Sequence, residues 1–248
     1  MPYLNISCTK KGHIARITLN RPEASNAINQ QLALELDEVC HQVNQDDSIY
    51  VVTVTGAGNK AFCSGSELNP AEPPYNPAGS IAGIARPVIA AINGDALGQG
   101  LEIALSCDIR IASDKARFGL PQVSQGFIPL DGGTQRLPRI IGRGKALELL
   151  LTAETLSAEE AYEIGLVSKI VPQEALESET EKLAENIASK GPIALRYLKE
   201  AINKGMDMTL EQGLRLEADL YFLLHTSADR TEGIKAFQEK RPPQFKGQ

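Results

Sequence analysis

The stretch PVIAAINGDALGQGLEIALSCDIRIAS, residues 87–113, contains the pattern that decides the fold. An apolar run, PVIAAI, is followed by three glycines within seven residues, then by the helical composition of GLEIALSCD and a second apolar run, IRIAS. A strand that is covered on both faces is almost continuously apolar, whereas a helix needs a longer segment. The stretch therefore predicts a strand, a glycine turn, a helix and another strand, which is α/β alternation.

The same alternation occurs on both sides of this stretch. HIARITL (13–19) and YVVTVTG (50–56) predict two strands, and the leucines and valines between them recur at helical spacing, so a parallel pair is expected. GLVSKIV (165–171) predicts a further strand, after a helix that Ser157 and Glu160 open with capping-box spacing. We expect a surface loop at 69–80, because its four prolines disfavour a helix or an inner strand.

From about Glu174 the pattern is helical only, with Pro192 near one helix start and Gly205 at its end. Thr209 and Gln212 form a second capping-box pattern. We therefore predict a core over residues 1–190 and a helical region over 191–248.

Composition excludes several classes of function. The 248 residues carry a formal net charge of −6, so no general positive field attracts nucleic acid or an anionic membrane. The four cysteines include no C-x-x-C pair, which disfavours a metal site and favours thiols in a reducing compartment. Since the first residues lack a signal-peptide pattern, we expect a cytoplasmic protein; a mitochondrial form without its transit peptide is the alternative.

Three stretches together carry a family resemblance: ITLNRPEASNAIN (17–29), GAGNKAFCSGSEL (56–68) and residues 87–122. The chain resembles the crotonase family, also called the enoyl-CoA hydratase/isomerase superfamily, and the likeness continues through 132–171 to 233–246. This resemblance implies a spiral of ββα units with a C-terminal helical region that forms homotrimers, often paired into homohexamers. It also implies an acyl-CoA substrate, with coenzyme A as part of the substrate and no separate cofactor.

The glycine turns predict an oxyanion site. Glycines let the backbone approach a ligand closely, and the following helix directs free N–H groups and its positive dipole end at the turn. By the resemblance, the thioester oxygen is bound by the main-chain amides of Ser66, after Gly65, and of Gln99, after Gly98. Gln99 stands where the family usually has glycine, so its side chain is expected to shape the acyl pocket.

The acid and base assignments follow the resemblance, with one departure. Glu102 matches the first of two glutamates of the family's hydratases, whereas Gln122 stands at the second. An amide can hold a water but cannot exchange a proton at neutral pH. Asp131 is the nearest carboxylate that could share proton transfer, and its alternative role is an N-cap of the helix starting at GGT.

Contacts to coenzyme A are also implied by the resemblance. Contacts to the acyl-CoA as a whole fall on Lys60, Ser64, Gly65, Leu68, Gly98 and, from a neighbouring subunit, Lys240. The activity expected is hydration of an enoyl-CoA or a dienoyl-CoA, and the missing glutamate suggests a cyclic or aromatic-derived acyl group. The alternatives are isomerisation, C–C cleavage or hydrolysis through the same enolate, and a noncatalytic acyl-CoA-binding subunit.

Overall fold

The computed structural model describes residues 3–67 and 75–248. Within these ranges the strands are β1 (Ile6–Lys11), β2 (Ile14–Leu19), β3 (Val51–Gly56), β4 (Ala61–Cys63), β5 (Val88–Ile92), β6 (Asp95–Leu97), β7 (Ile109–Ser113), β8 (Phe118–Gly119), β9 (Thr155–Leu156) and β10 (Lys169–Val171). The helices are α1 (Gln30–Gln45), α2 (Pro77–Ala82), α3 (Gln99–Ser106), α4 (Gly133–Ile141), α5 (Arg143–Thr152), α6 (Ala158–Glu163), α7 (Leu176–Ala188), α8 (Pro192–Gly205), α9 (Leu210–Leu224) and α10 (Ala228–Gln238).

The polypeptide alternates between two sheets as it advances. One sheet has the order β1-β2-β3-β5-β7-β10 and the other β4-β6-β8-β9. Strands β3, β5 and β7 are each followed by a short strand in the second sheet, namely β4, β6 and β8. The result is the predicted spiral of ββα units, and β2 and β3 form the predicted parallel pair.

The inner strands of the larger sheet are covered on both faces, which explains their continuous apolar sequence. All residues of β3 and β5 are buried. Alternate side chains, such as Val52 and Val54, join the main core, while Val51 and Ile89 pack with Leu176 and Ala184 of α7 on the opposite face. The larger sheet is therefore the middle layer of the molecule.

Local signals predicted several helix starts and ends. Both capping boxes are present, at Ser157 and Thr209, and α8 runs from Pro192 to Gly205 as expected. The surface loop predicted over 69–80 is wrong at its end, because Pro77 takes the first position of α2 after an Asn76 cap. Proline is tolerated there since the first helical N–H needs no partner within the helix.

Five strands were missed, namely β1, β4, β6, β8 and β9. β1 forms an antiparallel edge with β2, and most of its side chains are exposed, so it lacks an apolar pattern. β6 interrupts what the sequence suggested was a bare glycine turn.

The C-terminal helices expose much apolar surface. Their exposed apolar side chains include Leu198, Ile202, Leu210, Leu214, Tyr221, Phe222 and Phe237. The boundary predicted near residue 190 falls between α7 and α8 and stays a prediction. Among helices in the described ranges, none is both long and apolar enough to cross a bilayer.

Helix α3 can pack against β4 only because residue 100 is glycine. A Cβ at Gly100 would lie 2.1 Å from the Cys63 carbonyl oxygen, and a backbone atom cannot move away as a flexible side chain could. We expect Gly100→Ala to lower the free energy of unfolding by at least about 2 kcal/mol, measured by urea denaturation.

The matched control is Gly144→Ala in α5, where a Cβ meets nothing within 4 Å. Because alanine favours helix over glycine, this variant should be unchanged or more stable by up to about 1 kcal/mol. Equal stability of the two variants would contradict the packing explanation.

Candidate active site

Two glycine turns meet at the N-terminus of α3. Gly98, which caps this helix, has φ 52° and ψ −126°, and Gly65 has φ 111°, both unfavourable for residues with a Cβ. A Cβ on Gly65 would lie 3.9 Å from the Gln99 nitrogen, and one on Gly98 would lie 3.7 Å from the Gly65 Cα. The segments predicted to bind the thioester oxygen are thus neighbours.

The predicted oxyanion amides have no intramolecular acceptor within 3–67 and 75–248. A β-bridge pairs Ile28 with Ser66. In this bridge the Ile28 nitrogen donates to the Gly65 oxygen and the Glu67 nitrogen donates to the Ile28 oxygen, each at 2.8 Å. The Ser66 N–H takes part in neither hydrogen bond. Gln99 is the first residue of α3, where an N–H has no acceptor in its own helix. Both amides are available to an external acceptor, and their role as an oxyanion hole stays a prediction.

Glu102 lies in the first turn of α3 and is 1% exposed. Its Oε1 accepts from the main-chain nitrogens of Asp131, at 2.7 Å, and Gly133, at 2.8 Å. Because Gly133 begins α4, the carboxylate also lies at the positive end of that helix. Its Oε2 accepts only from Gln122 Nε2, at 3.3 Å, among the described residues.

Burial raises the pKa of Glu102 above its ordinary value, and the neighbouring Asp131 charge adds to this shift. The two main-chain N–H donors oppose it, and desolvation is the larger effect. A raised pKa suits a group that must both accept and return a proton.

Gln122 combines a donor with a free acceptor. It lies in the 3-10 segment Pro121–Gln125, and while its Nε2 binds Glu102, its buried Oε1 has no partner among the residues that are described. The amide can therefore accept a hydrogen bond directly beside the Glu102 carboxylate.

Asp131 is buried, and its carboxylate does not cap its own helix. Gly132 occupies the N-cap of α4 without a side-chain bond, so the N-cap alternative is wrong. Instead, Asp131 Oδ2 accepts from the Ala78 nitrogen in α2 at 2.8 Å and from Gln99 Nε2 at 3.2 Å. Burial raises the pKa of Asp131 while these donors oppose the rise.

The Gln99 side chain links this carboxylate to the segment before α2. Its Nε2 also donates to the Tyr75 carbonyl oxygen at 2.9 Å. Sequence reasoning missed Tyr75, since it lies in a proline-rich stretch that predicts a loop, and it missed Ala78 for the same reason. The expectation that the Gln99 side chain shapes the acyl pocket stays a prediction.

The residues predicted to bind coenzyme A are less well defined by contacts. Lys60, Ser64 and Lys240 are exposed, and Gly65 is buried. Lys240 follows α10, with φ 54°. Leu68 lies outside the described residues, and these assignments stay predictions.

The raised pKa of Glu102 gives a pH dependence of stability with a definite sign. The folded state binds this proton more tightly than the unfolded state, so the ionised group destabilises the fold as pH rises from about 4 to its raised pKa. Glu102→Gln removes the titration. Its stability relative to wild type should increase with pH across this interval and then level off, measured by urea unfolding at several pH values.

Glu163→Gln in α6 is the control for a glutamate-to-glutamine change without burial, because Glu163 is exposed. A Glu102→Gln difference that falls as pH rises would contradict the burial effect.

Comparison with known proteins supports what the geometry suggests. Residues 9–248 match the family described as enoyl-CoA hydratase/isomerase. Similar proteins are a crotonyl-CoA hydratase from Syntrophomonas wolfei, 41% identical over 99% of both proteins, and an (E)-benzylidenesuccinyl-CoA hydratase from Thauera aromatica, 43% identical over 95% of this protein and 96% of the other. The crystal structure of an enoyl-CoA hydratase from Bacillus anthracis is also similar, with TM-score 0.95, 43% identity and coverage of 99% of this protein and 100% of the other. The chain therefore belongs to the enoyl-CoA hydratase/isomerase family, with the crotonase fold.

Proposed function

We propose that the protein is an acyl-CoA hydratase, which adds water to the double bond conjugated with the thioester of an enoyl-CoA or a dienoyl-CoA. Several relatives carry hydratase names, including crotonyl-CoA hydratase and short-chain-enoyl-CoA hydratase. The observation that carries the proposal is the pairing of Glu102 with Gln122, because it leaves acceptors on both side chains for one water.

The water is oriented by these two acceptors. Oε1 of Glu102 is already occupied by two main-chain N–H groups, whereas Oε2 has, within residues 3–67 and 75–248, only the Gln122 donor. One water hydrogen donates to Glu102 Oε2 and the other to Gln122 Oε1, which leaves an oxygen lone pair for the substrate. Gln122 thus replaces a carboxylate as an orienting group without exchanging a proton.

The reaction then needs one proton carrier. As the water oxygen bonds to Cβ, Glu102 takes a water proton, and the double-bond electrons move to an enolate whose oxygen is bound by the Ser66 and Gln99 amides. Each such donor stabilises the developing charge by about 3 to 4 kcal/mol. Glu102 returns the proton to Cα, and its raised pKa favours both steps. Asp131 could share this transfer only through Oδ1, because Oδ2 is held by two donors.

The acyl group is expected to differ from a simple straight chain. A single carboxylate and the Gln99 side chain distinguish this site from the two-glutamate pattern, and a cyclic or aromatic-derived acyl group is the hypothesis we favour. One relative, (E)-benzylidenesuccinyl-CoA hydratase, is named for an aromatic-derived substrate, whereas crotonyl-CoA hydratase is named for a short straight-chain one.

Glu102→Gln should lower kcat at least about 1,000-fold, because the amide cannot carry the proton, while KM changes little. Oε1 of the glutamine still accepts from Asp131 and Gly133, so folding is preserved. Gln122→Ala should lower kcat by about 10- to 100-fold, since water is less well oriented.

Gln125→Ala is the matched control, because Gln125 lies in the same 3-10 segment but is exposed.

Turnover should be followed by the mass of the product, since hydration adds one water. Full activity of Glu102→Gln would refute the mechanism. An unchanged mass would favour isomerisation, and two acyl fragments would favour cleavage of a carbon–carbon bond. Release of free coenzyme A would favour hydrolysis, and binding without turnover would favour a noncatalytic subunit.

We also propose that the protein forms homotrimers, singly or as hexamers, in the cytoplasm. The exposed apolar side chains of α8, α9 and α10 support this assembly, because a large apolar surface is stabilised when a second subunit covers it. In a trimer Lys240 follows an interface helix, which is consistent with its binding coenzyme A on a neighbour, together with Lys60, Ser64 and Leu68. All four cysteines are thiols, as a reducing compartment favours.

Leu214→Asp in α9, where Leu214 is 56% exposed, should convert trimers to monomers by placing a charge in the interface. Leu34→Asp in α1, at 61% exposure, is the matched control and should remain trimeric. Sedimentation equilibrium measures both masses. Monomeric wild-type protein, or identical behaviour of the two variants, would contradict the proposed interface.

A further inference from the structure

A cavity of about 370 Å³ adjoins the catalytic cluster on the side of α2. Its wall includes Tyr75, Leu130, Asp131 and Arg136. Asp131 belongs to both regions, because its main-chain nitrogen binds Glu102 while the residue also lines the cavity. The cavity therefore borders the catalytic cluster at Asp131.

Two buried polar atoms of the cavity wall lack partners within the described part of the protein. These are Asp131 Oδ1 and the Tyr75 hydroxyl, and Asp131 is 4% exposed. Buried polar groups are almost always hydrogen-bonded, and leaving one unpaired costs about 1 to 3 kcal/mol. Both atoms are therefore available to an external polar group.

The orientation of the Asp131 carboxylate is fixed. Ala78 and Gln99 both donate to Oδ2, and the same Gln99 amide binds the Tyr75 carbonyl oxygen. Oδ1 is therefore held as the remaining acceptor of a cavity whose wall also includes Tyr75, and the Tyr75 hydroxyl can donate or accept.

From this geometry we infer, given the proposed hydratase function, that the substrate's acyl group carries a hydroxyl beyond Cβ. The hydroxyl donates to Asp131 Oδ1 and accepts from the Tyr75 hydroxyl. Tyr75, Gln99 and Asp131 thereby determine specificity, with Gln99 positioning the other two.

The charges of the cavity wall do not favour a charged acyl group of either sign. Asp131 and the Arg136 guanidinium, which donates to the Asp131 carbonyl oxygen at 2.7 Å, carry opposite charges, so the wall gives no net attraction to a carboxylate or an ammonium group. A pure hydrocarbon leaves both polar atoms unpaired. A neutral hydroxyl satisfies both without adding charge.

The test compares hydration of hex-2-enoyl-CoA with that of its derivatives bearing a hydroxyl or a methoxy group on carbon 4, 5 or 6. We expect kcat/KM for at least one hydroxy derivative to exceed that of both the parent and the matching methoxy compound by at least about 10-fold. A methoxy group cannot donate, so it leaves Oδ1 unpaired.

Asp131→Asn reverses the hydrogen-bond polarity at this position. The amide oxygen must face Ala78 and Gln99, so its NH₂ group replaces Oδ1 and becomes a donor. The hydroxy-to-methoxy ratio of kcat/KM should fall at least about 10-fold, which a merely structural role would not produce. Tyr75→Phe should lower the hydroxy-to-parent ratio, whereas Tyr162→Phe, at an exposed tyrosine in α6, should leave it unchanged.

The possible failures are distinguishable. If the parent compound is hydrated as fast as every hydroxy derivative, or if Asp131→Asn leaves the hydroxy-to-methoxy ratio unchanged, the inference is wrong while the hydratase function stands. If no thioester of the series gains water and Glu102→Gln has no effect on any product, the proposed function itself fails.

Discussion

The hydrogen bonds from the main-chain nitrogens of Asp131 and Gly133 to the Glu102 carboxylate connect the parts of the site. They join the first turn of α3 to the start of α4 and hold the buried Glu102 side chain in place. They stabilise its negative charge only in part, because burial still raises its pKa. Gly133 must be glycine for this approach, because a Cβ there would lie 2.8 Å from Pro129 and 3.1 Å from Glu102 Oε1. The Gln122 contact depends on this fixed carboxylate, because Gln122 Nε2 donates to its other oxygen.

Compared with a glutamate at the same position, glutamine at position 122 changes the electrostatics of the site more than its geometry. A second carboxylate beside buried Glu102 would add a like charge and raise the pKa of the pair further. The Gln122 amide supplies one donor to Glu102 and one acceptor to a water without any charge. In the proposed mechanism, Gln122 therefore orients the water while Glu102 alone carries the proton.

A second buried carboxylate beside Glu102 is also held by hydrogen-bond donors. Asp131 is a second buried acid, but its Oδ2 is engaged by Ala78 and by the Gln99 side chain. Gln99 therefore has two separate roles, one through its main-chain N–H in the proposed oxyanion hole and one through its amide. A glycine at this position could provide only the first.

Much of the fold could be predicted because its signals are local. The apolar runs of β3 and β5 have the composition of strands covered on both faces, and the capping boxes at Ser157 and Thr209 lie within one helical turn. The sequence also predicted that Glu102 lies near the start of a helix that follows a glycine turn. It did not predict β1, because an exposed edge strand has no apolar pattern.

The sequence by itself determined the α/β alternation, the glycine turns and the family resemblance that assigned Glu102, Gln122 and the two amides. Only the tertiary structure decided what Asp131 does, since its partners Ala78 and Gln99 are 53 and 32 residues away in sequence. Hydrogen bonds over such separations depend on how whole elements pack, and no local pattern of residues encodes that packing.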